Sequence, residues 1–262
     1  MHENRNEYDE VKKLLILSIL AGKIMLKSGA ETYRVEDTIN RICKSRKNIN
    51  YVESLVTATG ISVSVEYDEE IITYIKRIKS ISIDLNKIDM VNNFSREFVN
   101  GNISIEEGLK RLERINNTHI YNNLTKLVFG SLAGSFYTIM FGGTFMDFIS
   151  SLMVSLLVVF VTNYLAKREI TFFINNFVGA FLASILSILL VKLHIGKNMD
   201  MIIIGSIMPL VPGVAITNSI RDTMSGDFIS GSSRGIEAAI IAFSIAFGVG
   251  LVLKLYFKGA IM

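Results

Sequence analysis

The residues of this chain whose types and spacing could do chemistry lie near its C-terminal end, in the stretch MPLVPGVAITNSIRDTMSGDFISGSSRGIEA, residues 208–238. An arginine guanidinium binds a carboxylate through two parallel hydrogen bonds. A carboxylate, in turn, binds an amine or exchanges a proton. These residue types therefore fit the recognition of a small charged metabolite. The charged residues of the stretch are Arg221, Asp222, Asp227, Arg234 and Glu237.

Two prolines open this stretch and interrupt an apolar run. Pro209 and Pro212 lack a backbone N–H and clash with the preceding turn, so both cannot lie inside an undisturbed helix. Gly213 adds backbone freedom. In hydrocarbon, non-helical backbone is tolerated where protein buries it or water reaches it. A broken span therefore indicates a transport site, because half-helix ends present unpaired backbone groups to a substrate.

The polar residues after the break recur at helical spacing. If residues 214–225 form a helix, Thr217, Asn218 and Arg221 share one face, and Asp222 lies on the adjacent one. Three interpretations stay open. The charges form a substrate or coupling site, or they are solvated in a cytoplasmic loop, or Arg–Asp pairs hold the loop against the helix bundle.

Charge divides the chain of 262 residues into two parts. Residues 1–120 hold 18 Lys/Arg and 18 Asp/Glu, whereas residues 121–262 hold only 9 and 6. The first part is typical of a soluble domain, and the second is typical of a membrane domain. The formal net charge of +3 is too small to indicate a nucleic-acid partner.

Several kinds of catalytic site are excluded. Cys43 is the single cysteine, so neither a disulfide within the chain nor a cysteine metal site can form. The three histidines are scattered without ligand spacing, and the sequence contains no nucleophile elbow, Walker loop or GxGxxG motif. We therefore expect no metal, no cofactor and no enzymatic activity.

Residues 1–120 show the periodicities of an α+β domain. An amphipathic helix is predicted over 9–27, and Ser28-Gly29 ends it because glycine accepts the left-handed conformation. Alternating β-branched residues over 51–78 predict two or three antiparallel strands. Further helices are predicted directly after Gly29 and over 84–100 and 104–116.

The rest of the chain is predicted to be a membrane domain, since a spanning helix needs ~20 mostly apolar residues. The predicted fold class is thus an α+β cytoplasmic domain, residues 1–120, followed by an all-α membrane domain of five transmembrane helices, residues 121–262. The first apolar run is short and contains Lys23, unlike a signal peptide, so we expect a cytoplasmic N-terminal domain. The spans are predicted near 126–143, 147–165, 172–192, 199–216 and 235–256.

Three ordered motifs resemble the threonine/serine exporter (ThrE) family. They are the stretch quoted above, the N-terminal segment GKIMLKSGAETYRVEDTINRICKS and the strand region VTATGISVSV. The resemblance implies a secondary transporter, driven by the proton gradient, that exports small metabolites. The chain is similar to the YjjP-like larger half of a split two-component type, which implies a smaller multi-span partner subunit.

The resemblance also implies candidate residues, carried over position by position. The predicted substrate or coupling site comprises Pro209, Pro212, Gly213, Thr217, Asn218, Arg221, Asp222, Asp227, Arg234 and Glu237, with Gly226, Ser230 and Gly231 matching as well. The matching N-terminal positions are Ser28, Gly29, Glu31, Arg34 and Glu36. For the three charged residues of this second set we expect a structural role, because charges near a helix start commonly cap the helix or pair with a neighbour.

The leading hypothesis is an exporter subunit in the cell membrane. Its expected substrate is an amino acid such as threonine or serine, or a dicarboxylate such as succinate, and we expect it to be an oligomer. One alternative is a membrane-anchored enzyme with a hydrolase-like N-terminal domain, although residues 1–120 contain no recognisable nucleophile–base set. Another alternative is a regulatory subunit of a transport complex.

Overall fold

The structure is a computed structural model that describes residues 2–46, 49, 51–101, 103–118, 121–168 and 170–259, apart from the side chains of residues 2–6. It divides into two compact units. The first unit comprises Met1–His119 and Val214–Gly235, and the second comprises Ile120–Gly213 and Ile236–Met262. The division into domains at residue 120 stays a prediction, but the charged stretch groups with the N-terminal part of the chain.

Among the described residues of the first unit, four helices precede the charged stretch close to the predicted positions, although the first begins at His2 and not at residue 9. Gly29 has a φ of +90° and ends the first helix, with Ala30 N–H donating to the Met25 carbonyl at 3.1 Å. The predicted helix boundary at Ser28-Gly29 is confirmed. The helices are α1 (His2–Lys27), α2 (Thr32–Cys43), α3 (Leu85–Val99) and α4 (Ile105–Asn117).

A three-stranded antiparallel sheet packs on these helices, which confirms the predicted strands. It has the order β1 (Tyr51–Thr57), β2 (Gly60–Tyr67), β3 (Glu70–Arg77). Asp68 and Glu69 connect β2 to β3 with φ angles of 49° and 64°. Two residues in the left-handed region form the tight turn that matches the twist of paired strands.

The core of the first unit lies between helix α1 and one face of the sheet. In β2 every second side chain is buried, beginning with Ile61 and Val63. Helix α1 presents Leu14, Ile24 and Met25 to the core, each at most 1% exposed. Period-2 burial in the strand and a helical stripe in α1 are the patterns expected where a sheet packs on a helix.

The second unit is a helix bundle. It contains α5 (Asn123–Met140), α6 (Phe145–Lys167), α7 (Phe172–Lys192), α8 (Met199–Ile207) and a 3₁₀ turn over Met208–Leu210. The chain continues through α9 (Gly213–Met224) and α10 (Phe228–Phe257), and residues from Ile236 onward belong to this unit.

Three of the described helices, α6, α7 and α10, are long and apolar enough to cross a membrane. The number rises to four if α8 with its 3₁₀ turn and α9 form one broken span. The predicted break is confirmed, because α8 stops before Pro209 and α9 begins at Gly213. The count of five spans stays a prediction.

Most of the polar stretch after the break is helical, so it is not the loop that one of the three interpretations assumes. Only residues 225–227 separate α9 from α10. Gly226, with a φ of +92°, ends α9, and the Asp227 carboxylate accepts a hydrogen bond from the Ser230 N–H at 3.0 Å and so caps α10. The composition of this stretch is that of a loop, but two capping residues make it a tight helical hairpin.

Small residues bring helices α5 and α8 into close contact. A Cβ atom on Gly205 would lie 1.9 Å from the Thr138 hydroxyl and 2.7 Å from the Gly134 carbonyl oxygen. A Cβ on Gly134 would likewise lie 2.8 Å from the Gly205 carbonyl oxygen, whereas a Cβ on Gly250 would meet nothing within 4 Å. Close backbone approach is how membrane helices gain packing contacts without a hydrophobic driving force.

We predict that Gly205→Ala destabilises the bundle, since a methyl group there must push α5 and α8 apart. Overpacking of this kind costs about 1–3 kcal/mol. Gly250→Ala is the matched control and should be neutral or slightly stabilising, because alanine favours helices by about 1 kcal/mol over glycine. Thermal unfolding of the full chain in detergent, followed by circular dichroism, measures the difference. Equal midpoints for both variants would contradict the prediction.

Candidate functional site

Polar side chains of the α9–α10 hairpin meet the segment that begins α2, entirely within the first unit. We call this group the polar cluster. Residues separated by about 190 positions in the sequence form its hydrogen bonds. The cluster comprises Gly29, Ala30, Glu31, Thr32, Arg34, Asn218, Arg221, Asp222 and Arg234.

Asp222 is the centre of the polar cluster and is fully buried. One carboxylate oxygen accepts hydrogen bonds from the Thr32 backbone N–H at 3.1 Å and from the Thr32 hydroxyl at 3.0 Å. Thr32 is the first residue of α2, and the side chain of Glu31, which precedes it, makes no capping hydrogen bond. Asp222 therefore caps α2 from a distant helix, at the end where the helix dipole favours negative charge.

Arg234 compensates the buried charge of Asp222. Its Nε atom lies 3.2 Å from the second carboxylate oxygen, which is within ion-pair distance although the N–H is not aligned for a hydrogen bond. Its Nη2 atom donates to the Ala30 carbonyl at 2.9 Å, and the Asn218 amide donates to the Gly29 carbonyl at 2.8 Å. The pair is 4% and 0% exposed, so each charge depends on the other.

Glu31 forms a second, more accessible part of the polar cluster. Its side chain is 5% exposed and binds both Arg221 and, at 3.3 Å, Arg34, whose side chains are 55% and 40% exposed. Burial would raise the pKa of the Glu31 carboxyl. Hydrogen bonds from its own backbone N–H and from Arg221, together with the charge of Arg34, outweigh burial and hold the pKa below its ordinary value. Two partly exposed guanidinium groups share one carboxylate and retain donors for another anion.

Glu36 lies on the next turn of α2, and its carboxylate accepts a hydrogen bond from the Val56 N–H at 2.8 Å. Burial raises the pKa of the Glu36 carboxyl above its ordinary value, and this hydrogen bond opposes the shift only in part. The negative charges of Asp227, Glu53 and Asp222 raise the same pKa further. Glu36 is thus an acid whose proton affinity depends on its neighbours.

Other predicted residues shape the hairpin. The Ser230 hydroxyl accepts a hydrogen bond from the Ala58 N–H at 3.2 Å, which joins the start of α10 to the sheet. A Cβ atom on Gly231 would lie 2.2 Å from the Thr223 hydroxyl, so α9 and α10 can approach closely only with glycine there. Ser28 is buried, and its carbonyl accepts a hydrogen bond from the Asp84 N–H at 3.0 Å.

The structure does not bring all predicted site residues together. Pro209, Pro212, Gly213 and Glu237 belong to the second unit, and Thr217 is exposed in the first. Solvated charges are the wrong interpretation for Asp222 and Arg234, which are buried. Asp222 and Arg234 do form an Arg–Asp pair, but the side-chain hydrogen bonds that link them to other described residues go to the N-terminal segment of the first unit and not, as that interpretation has it, to the helix bundle. Glu31 pairs with Arg34, which is the kind of structural role expected for charges near a helix start.

Two buried polar residues that make structural hydrogen bonds, Thr32 and Asp147, were not identified from the sequence. Thr32 lies inside the N-terminal motif but carries no charge, and only its position at the helix start signals its role. Asp147, near the start of α6, is fully buried and accepts hydrogen bonds from the backbone N–H groups of Lys197 and Asn198 at 2.6 and 2.8 Å. An acid beside a long apolar run was the available signal.

Within the described ranges no three His, Cys, Asp or Glu residues are grouped closely enough to hold a metal ion. Cys43 is buried, and burial raises the pKa of its thiol to about 11. A neutral, inaccessible thiol is a poor nucleophile. Cys43 nevertheless provides a single chemical reporter for opening of the first unit.

The three long apolar helices define an integral membrane protein, one that also carries a compact α+β unit with a buried charge cluster. The chain belongs to the threonine/serine exporter (ThrE) family, because the model of the family described as "Putative threonine/serine exporter" matches residues 17–256. The resemblance drawn from the sequence motifs is confirmed. No solved structure matches the chain.

Curated relatives are similar over most of this chain at low identity. The "Threonine/serine exporter" of Corynebacterium glutamicum is 20% identical over 95% of this chain, which spans only 52% of that relative's length. The "Probable succinate transporter subunit YjjP" of Escherichia coli is 23% identical, with 92% of this chain and 93% of the relative covered. The protein of the same name from Klebsiella aerogenes is 21% identical, with 98% of both covered. These names support a membrane exporter.

We predict that Asp222→Asn destabilises the first unit by about 3 kcal/mol, because it leaves the Arg234 charge buried without a counter-charge. Denaturant-dependent alkylation of Cys43 in the full chain measures this loss. Glu237→Gln makes the same acid-to-amide change at an exposed position and should leave the alkylation profile unchanged. Removing both charges, as in Asp222→Asn with Arg234→Met, should cost less than Asp222→Asn alone. Equal profiles for Asp222→Asn and the control would refute this role.

We also predict that Glu36→Gln stabilises the first unit at neutral pH, since glutamine keeps the acceptor for Val56 and removes an unfavourable charge. The raised pKa means that the native state binds this proton more tightly than the unfolded state. Wild-type stability therefore falls as pH rises from 4.5, the ordinary value, through the raised pKa. The advantage of Glu36→Gln should vanish below about pH 4.5 in the same alkylation assay. A constant advantage at every pH would argue against titration of this carboxyl.

Proposed function

We propose that the chain is a subunit of a cell-membrane exporter for small metabolites that carry a carboxylate, namely threonine and serine or a dicarboxylate such as succinate. One observation carries the exporter function: the family match extends over residues 17–256 and so includes both polar motifs. The relatives' names add two substrate classes that share one chemical group, the carboxylate.

We infer that the substrate carboxylate binds at Arg221, with Arg34 beside it. Both guanidinium groups are partly exposed, and both bind the Glu31 carboxylate. In this proposal Glu31 holds the place on the arginines that the substrate carboxylate would take. A substrate carboxylate that replaces Glu31 on Arg221 meets a planar fork of donors. Asp222 and Arg234 are buried, form an ion pair and each bond to the N-terminal backbone, so in this proposal they support the site and do not bind substrate.

The proton-coupling acid of the proposal is Glu36. Its carboxyl lies one helical turn from Thr32 on α2 and has the raised pKa described above. A carboxyl with this property exchanges a proton closer to physiological pH than an ordinary glutamate does. Asp227 is a weaker candidate, because its carboxylate caps the first turn of α10.

A smaller membrane subunit completes the proposed exporter, and we place the first unit in the cytoplasm. The two relatives named as subunits match nearly end to end, whereas about half of the Corynebacterium exporter extends beyond the match. In this proposal a separate chain supplies here what the unmatched half of that exporter supplies there.

Efflux from cells that express the chain with its partner tests the proposal. Cells are loaded with threonine- and serine-containing dipeptides, or with succinate, and substrate release is followed with time. We expect Arg221→Gln to lower efflux at least tenfold, because it removes the charge and the fork, and Arg221→Lys to fall between it and wild type. Arg41→Gln, which removes an exposed arginine on α2, is the matched control and should leave efflux unchanged.

The outcomes separate the function from the site. If the wild-type chain and its partner subunit are present in the membrane but export none of the three substrates, the exporter assignment is overturned. Normal efflux by Arg221→Gln overturns the assignment of Arg221 as the binding site but leaves the exporter assignment standing. Deletion of the N-terminal part would not identify a regulatory role, because it would strip Asp222 and Arg234 of their backbone partners. Point variants of the polar cluster avoid this difficulty.

A further inference from the structure

Strand β3 is the open edge of the three-stranded sheet. In a two-residue hairpin the residues flanking the turn form a closely hydrogen-bonded pair, and such pairs alternate along the ladder. Tyr67 and Glu70 flank the β2–β3 turn, so Glu70 and every second residue after it bond to β2. The N–H and C=O groups of Ile71, Thr73 and Ile75 therefore point away from the sheet.

The two edges of the sheet differ. On the β1 edge, the outward Val56 N–H donates to Glu36, so helix α2 covers that side. On the β3 edge, the structure gives Ile71, Thr73 and Ile75 no backbone hydrogen bond to any described residue outside the sheet. Ile71 and Ile75 are also 74% and 73% exposed. An edge with free backbone groups and exposed isoleucines is a template for another strand.

The sequence of β3 complements itself. We propose that β3 pairs antiparallel with β3 of a second copy of this chain, about a two-fold axis through Thr73, and so joins two sheets into one. In this register Ile71 lies opposite Ile75, and Ile72 lies opposite Tyr74. The charges match at both ends of the pairing, because Glu70 of each copy lies opposite Lys76 of the other. Opposite charges and paired apolar side chains are the cross-strand pairs that stabilise antiparallel sheets.

Other registers fit less well. Side chains directly opposite each other must point to the same face, so the register can change only in steps that keep the outward residues paired with one another. With the axis through Tyr74, Ile71 would lie opposite Arg77 and Ile72 opposite Lys76. With the axis through Ile72, Glu70 would lie opposite Tyr74. Only the axis through Thr73 satisfies both charges and both isoleucines.

Disulfide cross-linking of the full chain in detergent tests the contact. In the Cys43→Ser background, Thr73→Cys places two cysteines across the axis, with Cα atoms about 5.5 Å apart, within the range that a disulfide spans. Mild oxidation should convert most of the chain to a covalent dimer. Ser64→Cys, opposite Thr73 on the middle strand, is the matched control. Its copies would lie about 14 Å apart across three strand spacings and should not cross-link.

Charge exchange tests the register without cysteine. Lys76→Glu places two glutamates opposite each other at both ends of the pairing and should raise the dissociation constant of the dimer about tenfold. The mass of the complex, measured at a series of decreasing protein concentrations, gives this constant. Glu70→Lys combined with Lys76→Glu restores opposite charges and should restore the dimer. Thr73→Pro should also abolish the dimer but leave the chain folded, because this N–H does not bond to β2.

The contrary outcomes are equally definite. A dimer that persists in Lys76→Glu, or equal cross-linking of Thr73→Cys and Ser64→Cys, overturns the proposal. The proposal is also overturned if the Thr73→Cys chain stays monomeric and its introduced thiol is protected from alkylation only when vesicles or the smaller membrane subunit are added. That result would show that lipid or that subunit covers the β3 edge. None of these variants lies in the polar cluster, so export and dimer formation can fail separately.

Discussion

The first unit depends on two opposite charges, Asp222 and Arg234, that are buried together at the start of helix α2. Either charge buried without the other would strongly destabilise the fold, since removing an ion from water costs several kcal/mol. Their partners are the Thr32 N–H and hydroxyl and the Ala30 carbonyl, groups that would otherwise lack partners at the end of one helix and the start of the next. The pair thus provides hydrogen-bond partners for the N-terminal segment, and that segment stabilises one oxygen of Asp222 and one nitrogen of Arg234 in return.

This interaction explains why a charged segment beside apolar helices is not a loop. The α9–α10 hairpin presents its charges to the backbone between α1 and α2, and Asn218 adds a third bond to the Gly29 carbonyl. The positive φ of Gly29 lets the chain turn sharply between α1 and α2, so that the carbonyl groups of Gly29 and Ala30 both accept hydrogen bonds from the hairpin. The two polar motifs of the sequence, which lie far apart along the chain, are therefore the two sides of a single contact.

The sequence predicted the elements more fully than it predicted this contact. Periodicity locates α1, the three strands and the break at the prolines, because those patterns arise from neighbours within one element. The capping of α2 by Asp222 joins residues 190 positions apart, and no local pattern encodes it. Loop-like composition around Gly226 and Asp227 concealed a three-residue turn, since glycine and aspartate serve as well in tight helical hairpins as in loops.

The division of the polar cluster into buried and accessible charges bears on how it would act. Asp222 and Arg234 cannot exchange partners without exposing a buried ion, so they fix the position of the hairpin. Glu31 differs from them, because its two partners, Arg221 and Arg34, are partly solvated although its own carboxylate is buried. Those two arginines, with the backbone N–H of Glu31, hold the pKa of the Glu31 carboxyl below its ordinary value against the effect of burial. The start of α2 therefore combines a buried ion pair that fixes the hairpin with one carboxylate whose charge two accessible guanidinium groups stabilise.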